Sequence, residues 1–328
     1  MAVKIDKTDR RLLFELDRDC RLPMTVLAKR IRKSRPATEY RLNRLLREGV
    51  ITHFGVNINP HRLGLRVWKI YLQLKNKQAA KKRMLNFLLK NRNVNWVGEC
   101  DGSWDLIFSA CYASDYEFFA FRNRFFSDFG DLVLNSHTEL IIDVHSYPKM
   151  YFMNELCTPV QFGAEISNAG LDETDVRVLS LLAKDARMHV TELARGAGIT
   201  PAIAAHRLKK LSGVGAISQF RISVDLGTLG LQLYKAIIYF QKYSEKDEKR
   251  LEAFVSGIPN TQYFIRDLTQ IEVELVAGSH KEYNEIIGRI KSEFAEAIRN
   301  VESVILKSDY WSPAFVGAGP SRAAVKPI

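Results

Sequence analysis

Eight Lys and Arg residues crowd the nineteen positions from Lys29 to Arg47, and Glu39 is the one acid among them. Tyr40 and Asn43 are interleaved with the cations. This density of ammonium and guanidinium groups suits a polyanion, since phosphates take charge-assisted hydrogen bonds and base edges in a major groove accept Arg and Asn. At about 100° per residue, helical spacing groups Thr38, Leu42, Leu45 and Leu46 on one side, the expected core face. Ala37, Tyr40, Arg44 and Arg47 fall opposite, with Pro36 and Asn43 beside them and Arg41 on a flank. The candidate DNA-contacting set is therefore Lys33, Ser34, Arg35, Pro36, Ala37, Tyr40, Arg41, Asn43, Arg44 and Arg47. For Arg41 two readings stay open, a phosphate contact or an ion pair with a neighbouring acid. Arg44 is assigned to DNA.

The surrounding elements must hold that face outward. Asp6 to Asp19 reads as an amphipathic helix with Leu12, Leu13 and Leu16 on one stripe. Pro23-Met24-Thr25 opens a short second helix bearing Val26, Leu27, Ala28 and Ile31. Ser34 caps a third, with Pro36 in its first turn and Gly49 as its stop. Val50 to Ile58 is strand-like and fits a wing or connecting strand. Three helices with a short turn between the last two make a helix-turn-helix.

The unit occurs twice. At an offset of 166, Asp6, Thr8, Asp9, Arg21, Leu27-Ala28, Arg41-Leu42, Leu45, Gly49 and Leu63-Gly64-Leu65 return, and 20 of the 60 positions from 6 to 65 are identical without a gap. One ancestral module has been fused to itself. The second copy offers His206, Arg207, Lys209 and Lys210 as candidate DNA contacts, and Arg207 carries the same two readings as Arg41. Residues 1–65 hold 15 Lys and Arg against 7 Asp and Glu, while 166–230 hold 8 against 6. Most of the chain's formal charge of +11 thus sits on the first copy, as a polyanion-binding surface requires.

Between and after these units the chain reads as βαββαβ. Strands are expected at 67–75, 94–100, 106–112 and 133–145, with helices at 79–90 and 115–129, and the order repeats with strands at 233–240, 262–266, 271–277 and 301–307. This is α+β: two winged helix-turn-helix domains (1–62 and 171–228) alternating with two ferredoxin-like domains (63–152 and 229–311). Residues 153–170 are expected as a linker and 312–328 as a flexible tail. Two such sheets in one chain can pair edge to edge or face to face.

No apolar run is long enough for a bilayer and the start is not a signal peptide, so a cytoplasmic protein is expected. Cys20, Cys100, Cys111 and Cys157 lack metal or redox spacing and are expected as small core residues. The seven histidines show no metal-ligand pattern. His137 and His145, an even number apart, are expected on one face of a strand. There is neither a Gly-rich nucleotide loop nor a nucleophile elbow, and no cofactor, metal or catalytic residue is expected.

Ile5-Asp6-x-x-Asp9-x-x-Leu12-Leu13, Arg21, Leu27-Ala28, Ser34 through Arg41-Leu42-x-x-Leu45-x-x-x-Gly49-Val50-Ile51 and Leu63-Gly64 resemble the Lrp/AsnC family of prokaryotic transcription regulators. The resemblance is looser in the second copy, where Gly196 and Gly198 replace basic residues. It implies a non-enzymatic, sequence-specific regulator of double-stranded DNA whose ferredoxin-like domain senses a small amino-acid-like effector. It also implies self-association, here as dimers or tetramers of the fused chain. Gly102-Ser103-Trp104-Asp105 matches the Gly-x-x-Asp turn of that effector site; the alternative is a tight hairpin with a solvated Asp105. Two other readings stay open. One is an enzyme similar to sirohaem decarboxylases, which are built from two Lrp-like halves; the other is an architectural chromosome-binding protein.

Overall fold

The computed structural model describes residues 2–242, 244–312 and 316, so nearly all of the expected tail lies outside the described residues. The first module comprises α1 (Lys7–Arg18), α2 (Met24–Arg30), α3 (Arg35–Arg47) and β1 (Ile51–Ile58). Asp6 and Asp9 form a capping box at the start of α1, each carboxylate accepting the other's backbone N–H, at 2.8 and 3.0 Å. The first ferredoxin-like half follows as β2 (Arg66–Leu74), α4 (Gln78–Lys90), β3 (Val94–Gly102), β4 (Leu106–Tyr112), α5 (Asp115–Phe129) and β5 (Val133–Ser146). Next comes β6 (Val160–Gly163), inside the stretch expected to be a linker. It pairs with β5 from Asp143↔Gly163 to Ser146↔Val160, so that part of the linker is strand instead.

The second module repeats the plan with α6 (Glu173–Lys184), α7 (Val190–Ala197), α8 (Pro201–Gly213) and β7 (Ile217–Val224). Asp172 and Asp175 rebuild the capping box. The second half then runs β8 (Gln232–Phe240), α9 (Glu245–Ser256), β9 (Thr261–Asp267), β10 (Ile271–Ala277), α10 (His280–Glu293) and β11 (Ile298–Trp311).

The two halves join edge to edge. The strand order β2-β4-β3-β11-β8-β10-β9-β5 closes through a β2–β5 pairing, and every neighbouring pair is antiparallel. The result is an eight-stranded barrel with no free edge, to which β6 adds alongside β5. Alternating apolar residues of β2 and β4 (Ile70, Leu72, Phe108) pack outward on Met84 and Leu88 of α4 and on Phe121 and Phe125 of α5. The second half does the same through Ala236, Ile238, Val273 and Leu275.

The other face of these strands turns into the barrel and is charged. Lys69, Lys235, Glu272, Asp267 and Gln270 are each at most 3% exposed. Lys69 Nζ lies 2.8 Å from Glu272, and Lys235 bridges Glu272 and Glu274. The Tyr71 hydroxyl lies against Glu272 and Asp267 and accepts from Gln270 Nε2 at 2.9 Å. Three carboxyl groups thus face two ammonium groups. Burial, reinforced by the negative charge of Glu272, pushes Asp267 up to about 7 against the pull of Lys69. Above about pH 4 this carboxyl is ionised in the unfolded chain. Folding gives it a proton up to about pH 7, so its stabilising contribution is complete in acid and is lost as pH rises through 7. Asp267→Asn is expected to stabilise the chain by about 1–3 kcal/mol more at pH 8 than at pH 4, the cost of the carboxyl accumulating between about pH 4 and 7. Equal effects on urea unfolding at the two pH values would refute this assignment.

The two winged modules are also one body. β1 pairs with β7, placing Phe54 opposite Ile222 and Val56 opposite Phe220, so the strand after each third helix is completed by the other copy. Arg21 donates to the carbonyls of Ala186 and Met188 and stacks over Phe220. Arg187 donates to the carbonyl of Cys20 and stacks over Phe54. This reciprocal clasp accounts for the return of Arg21 as Arg187 in the repeat. A single core, including Leu12, Leu16, Leu45, Val178, Leu182 and Leu211, runs through both modules.

One junction breaks the two-fold pattern. Buried Asp17 on α1 accepts from Arg221 Nε and Nη2 on β7 (3.1 and 2.8 Å) and from the Lys149 backbone N–H (2.9 Å). Arg221 also reaches Ser146, the Tyr147 carbonyl and Tyr263 of the barrel. The repeat equivalents of Asp17 and Arg221 are Ala183 and Gly55, so the winged pair is tied to the barrel by ions on one side.

Candidate nucleic-acid interface

Helix α3 starts where the sequence places it: the Ser34 side chain accepts the Ala37 N–H and Pro36 occupies the first turn. Thr38, Leu42 and Leu45 are buried, as their spacing requires. Leu46 is not; at 38% exposure it leaves the core face to which the helical wheel assigned it. Three buried residues over this stretch suffice to seat the helix.

The cations divide into two groups. Arg41 Nη1 lies 2.8 Å from both Asp6 and Asp9, and Arg44 Nη2 pairs with Asp9. Hydrogen bonds donated to the Asp6 and Asp9 carboxylates hold the Arg41 guanidinium above its ordinary range. Of the two readings left open for Arg41, the ion pair is the one seen. Arg44, expected on the DNA face, is drawn to the same carboxylates, because the capping box of α1 lies against the flank of α3. The second copy repeats the arrangement: Arg207 pairs with Asp172 and Asp175, and Lys210 with Asp175. These four cations fasten the third helix of each module to its first. Sequence reasoning missed that role for Arg44 and Lys210, although the joint return of Asp9 and a cation at position 44 was its signal.

Other side chains remain free. Tyr40 is 65% exposed, Asn43 and Arg47 are exposed, and they follow one another at i, i+3 and i+7 along the open face of α3. Beside them Lys29, Arg32 and Lys33 stand exposed in the turn before α3. Among the described residues none of these cations has a side-chain hydrogen bond or ion pair. Arg35 pairs with Glu39 and Arg30 with buried Glu15. Arg32 holds a left-handed backbone, φ 55, where its repeat partner Gly198 has φ 68. A side chain is strained there, so the turn carries a cation where glycine would sit more easily. The corresponding face of α8 shows Ala202, Ile203, Ala205, His206, Lys209 and Gly213, with Ile199 in place of Lys33.

In the ferredoxin-like half, Gly102 (φ +111) sits in the Gly102-Ser103-Trp104-Asp105 turn, where a Cβ would come within 2.5 Å of the Ser303 carbonyl of β11. Ser103 N–H donates to that carbonyl and Trp104 Nε1 donates to Glu302. Asp105 accepts the Leu74 N–H at 2.8 Å and the Lys81 ammonium at 3.0 Å. The groups expected to receive an amino acid are therefore engaged in joining the halves and anchoring α4. The second turn is shorter. Cys100 N–H reaches the Asp105 carbonyl across four residues, whereas Asp267 N–H reaches that of Gln270 across two.

His137 and His145 do not share a face. A bulge at Ile142 shifts the register of β5 against β9, leaving His137 against Tyr71 and Glu139 and His145 against Glu252 and Phe264. Cys20, Cys100 and Cys111 are buried, with burial raising each thiol, and Cys157 is half-buried. Among the described residues no cluster of His, Cys, Asp or Glu is placed to hold a metal, and no helix is long and apolar enough to cross a membrane.

Comparison with known proteins matches this geometry. A winged helix-turn-helix DNA-binding model covers residues 5–52, and an AsnC-type helix-turn-helix domain covers 171–212. The proline dehydrogenase transcriptional activator of Rhodobacter capsulatus is 32% identical over 100 residues, which are 30% of this chain and 64% of that protein. The chain spans about two thirds of the length of several such relatives. An uncharacterized HTH-type transcriptional regulator of Pyrococcus abyssi is 30% identical over 143 residues, 41% of this chain and 88% of the relative. Over its whole length the fold resembles the siroheme decarboxylase NirDL, with a TM-score of 0.60, 13% identity and coverage of 95% of this chain and 96% of that one.

Proposed function

We propose that this chain, which belongs to the Lrp/AsnC family of HTH-type transcription regulators, is a non-catalytic, sequence-specific DNA-binding regulator acting as a covalent pseudo-dimer. The observation that carries the reading is the unpaired face of α3: Tyr40, Asn43 and Arg47, flanked by Lys29, Arg32 and Lys33. Ala37 and Ser34 at the start of that helix, with Pro36 and Arg35, complete a surface that can approach a phosphate backbone. In the second module His206 and Lys209 stand in the same places, and Arg207 and Lys210 support the helix from behind. Base reading then belongs to Asn43 and Arg47, while Arg41 and Arg44 are positioning residues. An amino-acid-like effector at residues 102–105, a cytoplasmic location and assembly of fused chains into dimers or tetramers remain parts of this proposal.

Asn43→Ala or Arg47→Ala is expected to cost about 1–3 kcal/mol on the preferred duplex and little on random sequence. Arg44→Ala should instead lower the melting temperature more than it changes discrimination. Fluorescence anisotropy on matched and random duplexes checks the first statement, and anisotropy together with thermal unfolding the second; unchanged discrimination in the Asn43 and Arg47 variants would exclude them as readers. The decarboxylase likeness supports the architecture alone, and a tetrapyrrole absorption band in the purified chain would favour an enzyme instead.

A further inference from the structure

On the outer side of the first ferredoxin-like half, a groove of about 480 Å³ lies between α4 and α5. Its apolar lining comes from Phe87, Tyr112 and Phe121, the last two less than 9% exposed, with their rings 5.5 Å apart. Two cations rise on opposite walls, Lys90 from the last turn of α4 and Arg124 from α5. Among the described residues the side chain of neither has an ion pair or hydrogen bond. Burial raises the pKa of the Tyr112 hydroxyl, so it keeps its proton for donation.

The second half supplies an internal control. The turn in which Thr261 N–H meets the Ile258 carbonyl matches the one in which Val94 N–H meets that of Asn91. Lys90 and Asn91 therefore correspond to Gly257 and Ile258. Matching β4 to β10, and the Ser caps of α5 and α10, pairs Tyr112 with Ala277 and Arg124 with Arg289. Arg289 lies over the Phe254 ring instead of standing free. One copy has thus acquired, or kept, a cationic and aromatic groove that the other lacks, although both share the helix–sheet packing. A structural need common to both halves does not explain the difference.

We propose that this groove binds a small carboxylate with an aromatic or aliphatic body, the carboxylate held by Lys90, Arg124 and the Tyr112 hydroxyl and the body resting on Phe87 and Phe121. Volume and lining fit a ligand of that size, and two cations from different helices suit one anionic group. The site is separate from the 102–105 turn and from the DNA-facing helices.

The test is calorimetric titration of the full chain, without DNA, with 3-phenylpropionate and with its uncharged amide. The acid is expected to bind once per chain and at least about tenfold more tightly than the amide. The double variant Lys90→Gln, Arg124→Gln should keep the wild-type melting temperature and lose the preference. Ala120→Trp, which fills the groove from the exposed side of α5, should abolish binding of both. Equal binding of acid and amide, an undiminished preference in the double variant, two equivalent sites, or no saturable heat would each overturn the proposal. So would a concentration-dependent dimer dissolved by Ala120→Trp, which would assign the groove to a second copy of the chain.

Discussion

Asp17→Ala is expected to destabilise the chain by about 3–5 kcal/mol, the largest effect of any single substitution considered. Asp17 is fully buried and is the only carboxylate paired with Arg221 among the described residues. Burial acts to raise the Asp17 carboxyl, yet Arg221 and Lys149 hold it below the usual carboxylate range, so it remains ionised. Removing it leaves the Arg221 guanidinium, 5% exposed, with only neutral partners at Ser146, Tyr147 and Tyr263. A buried charge without its counter-ion costs far more than the net value of the pair. The double change Asp17→Ala, Arg221→Met should therefore recover part of the loss, the buried Lys149 ammonium, 3.4 Å from Asp17, still lacking its counter-ion. Urea unfolding measures both. A loss under about 1 kcal/mol in Asp17→Ala would mean that water reaches the site and that the ionic tie contributes little.

The second large effect concerns DNA. Lys29→Gln, Arg32→Gly, Lys33→Gln is expected to weaken duplex binding about a hundredfold near 0.1 M salt, on every sequence alike, because each phosphate-reaching cation releases counter-ions on binding. The fold should survive. All three side chains are exposed and unpaired, and glycine relieves the left-handed backbone of Arg32, as Gly198 does in the other copy. The triple variant should melt no lower than wild type, which separates a binding defect from a folding defect. A thirtyfold or smaller loss that appears only on the preferred sequence would place these residues among base readers instead.

Much of this architecture was legible because it is local. The capping residues Asp6 and Ser34, the Pro36 signal and the stop at Gly49 delimit α1 and α3, and the 166-residue repeat transfers the reading to α6 and α8. What was not legible depends on partners distant in sequence. Lys69, Glu139, Lys235, Glu272 and Glu274 alternate with apolar residues and look like a solvated sheet face, yet barrel closure buries them. No spacing rule announces that β1 will pair with β7 across the repeat, or that residues 160–163 will join β5. At the candidate interface, Tyr40, Asn43 and Arg47 emerged from periodicity alone. The Arg44–Asp9 pair did not, because a helical wheel shows which way a side chain leaves its own helix and not which acid waits on the next one. The contacts of the Gly102–Asp105 turn were hidden for the same reason: the partners of Gly102 and Trp104 lie on β11, two hundred residues away.

We propose that the fused chain binds DNA chiefly through residues 1–65, where most of the formal charge lies, with the second module as a weaker and different half-site. The most direct test is the salt dependence of affinity for one duplex, measured on the full chain in three forms: wild type, Lys29→Gln with Arg32→Gly and Lys33→Gln, and Arg195→Gln with Lys209→Gln in the second module, where exposed Arg195 stands at the repeat position of Lys29. Each lost phosphate contact lowers the slope of log K against log salt by about 0.9. The first-module variant should lose about 2–3 from the slope and the second-module variant less than about 1. Equal losses in the two variants would contradict the asymmetry, and a wild-type chain whose duplex binding is absent or insensitive to salt would contradict the assignment to DNA.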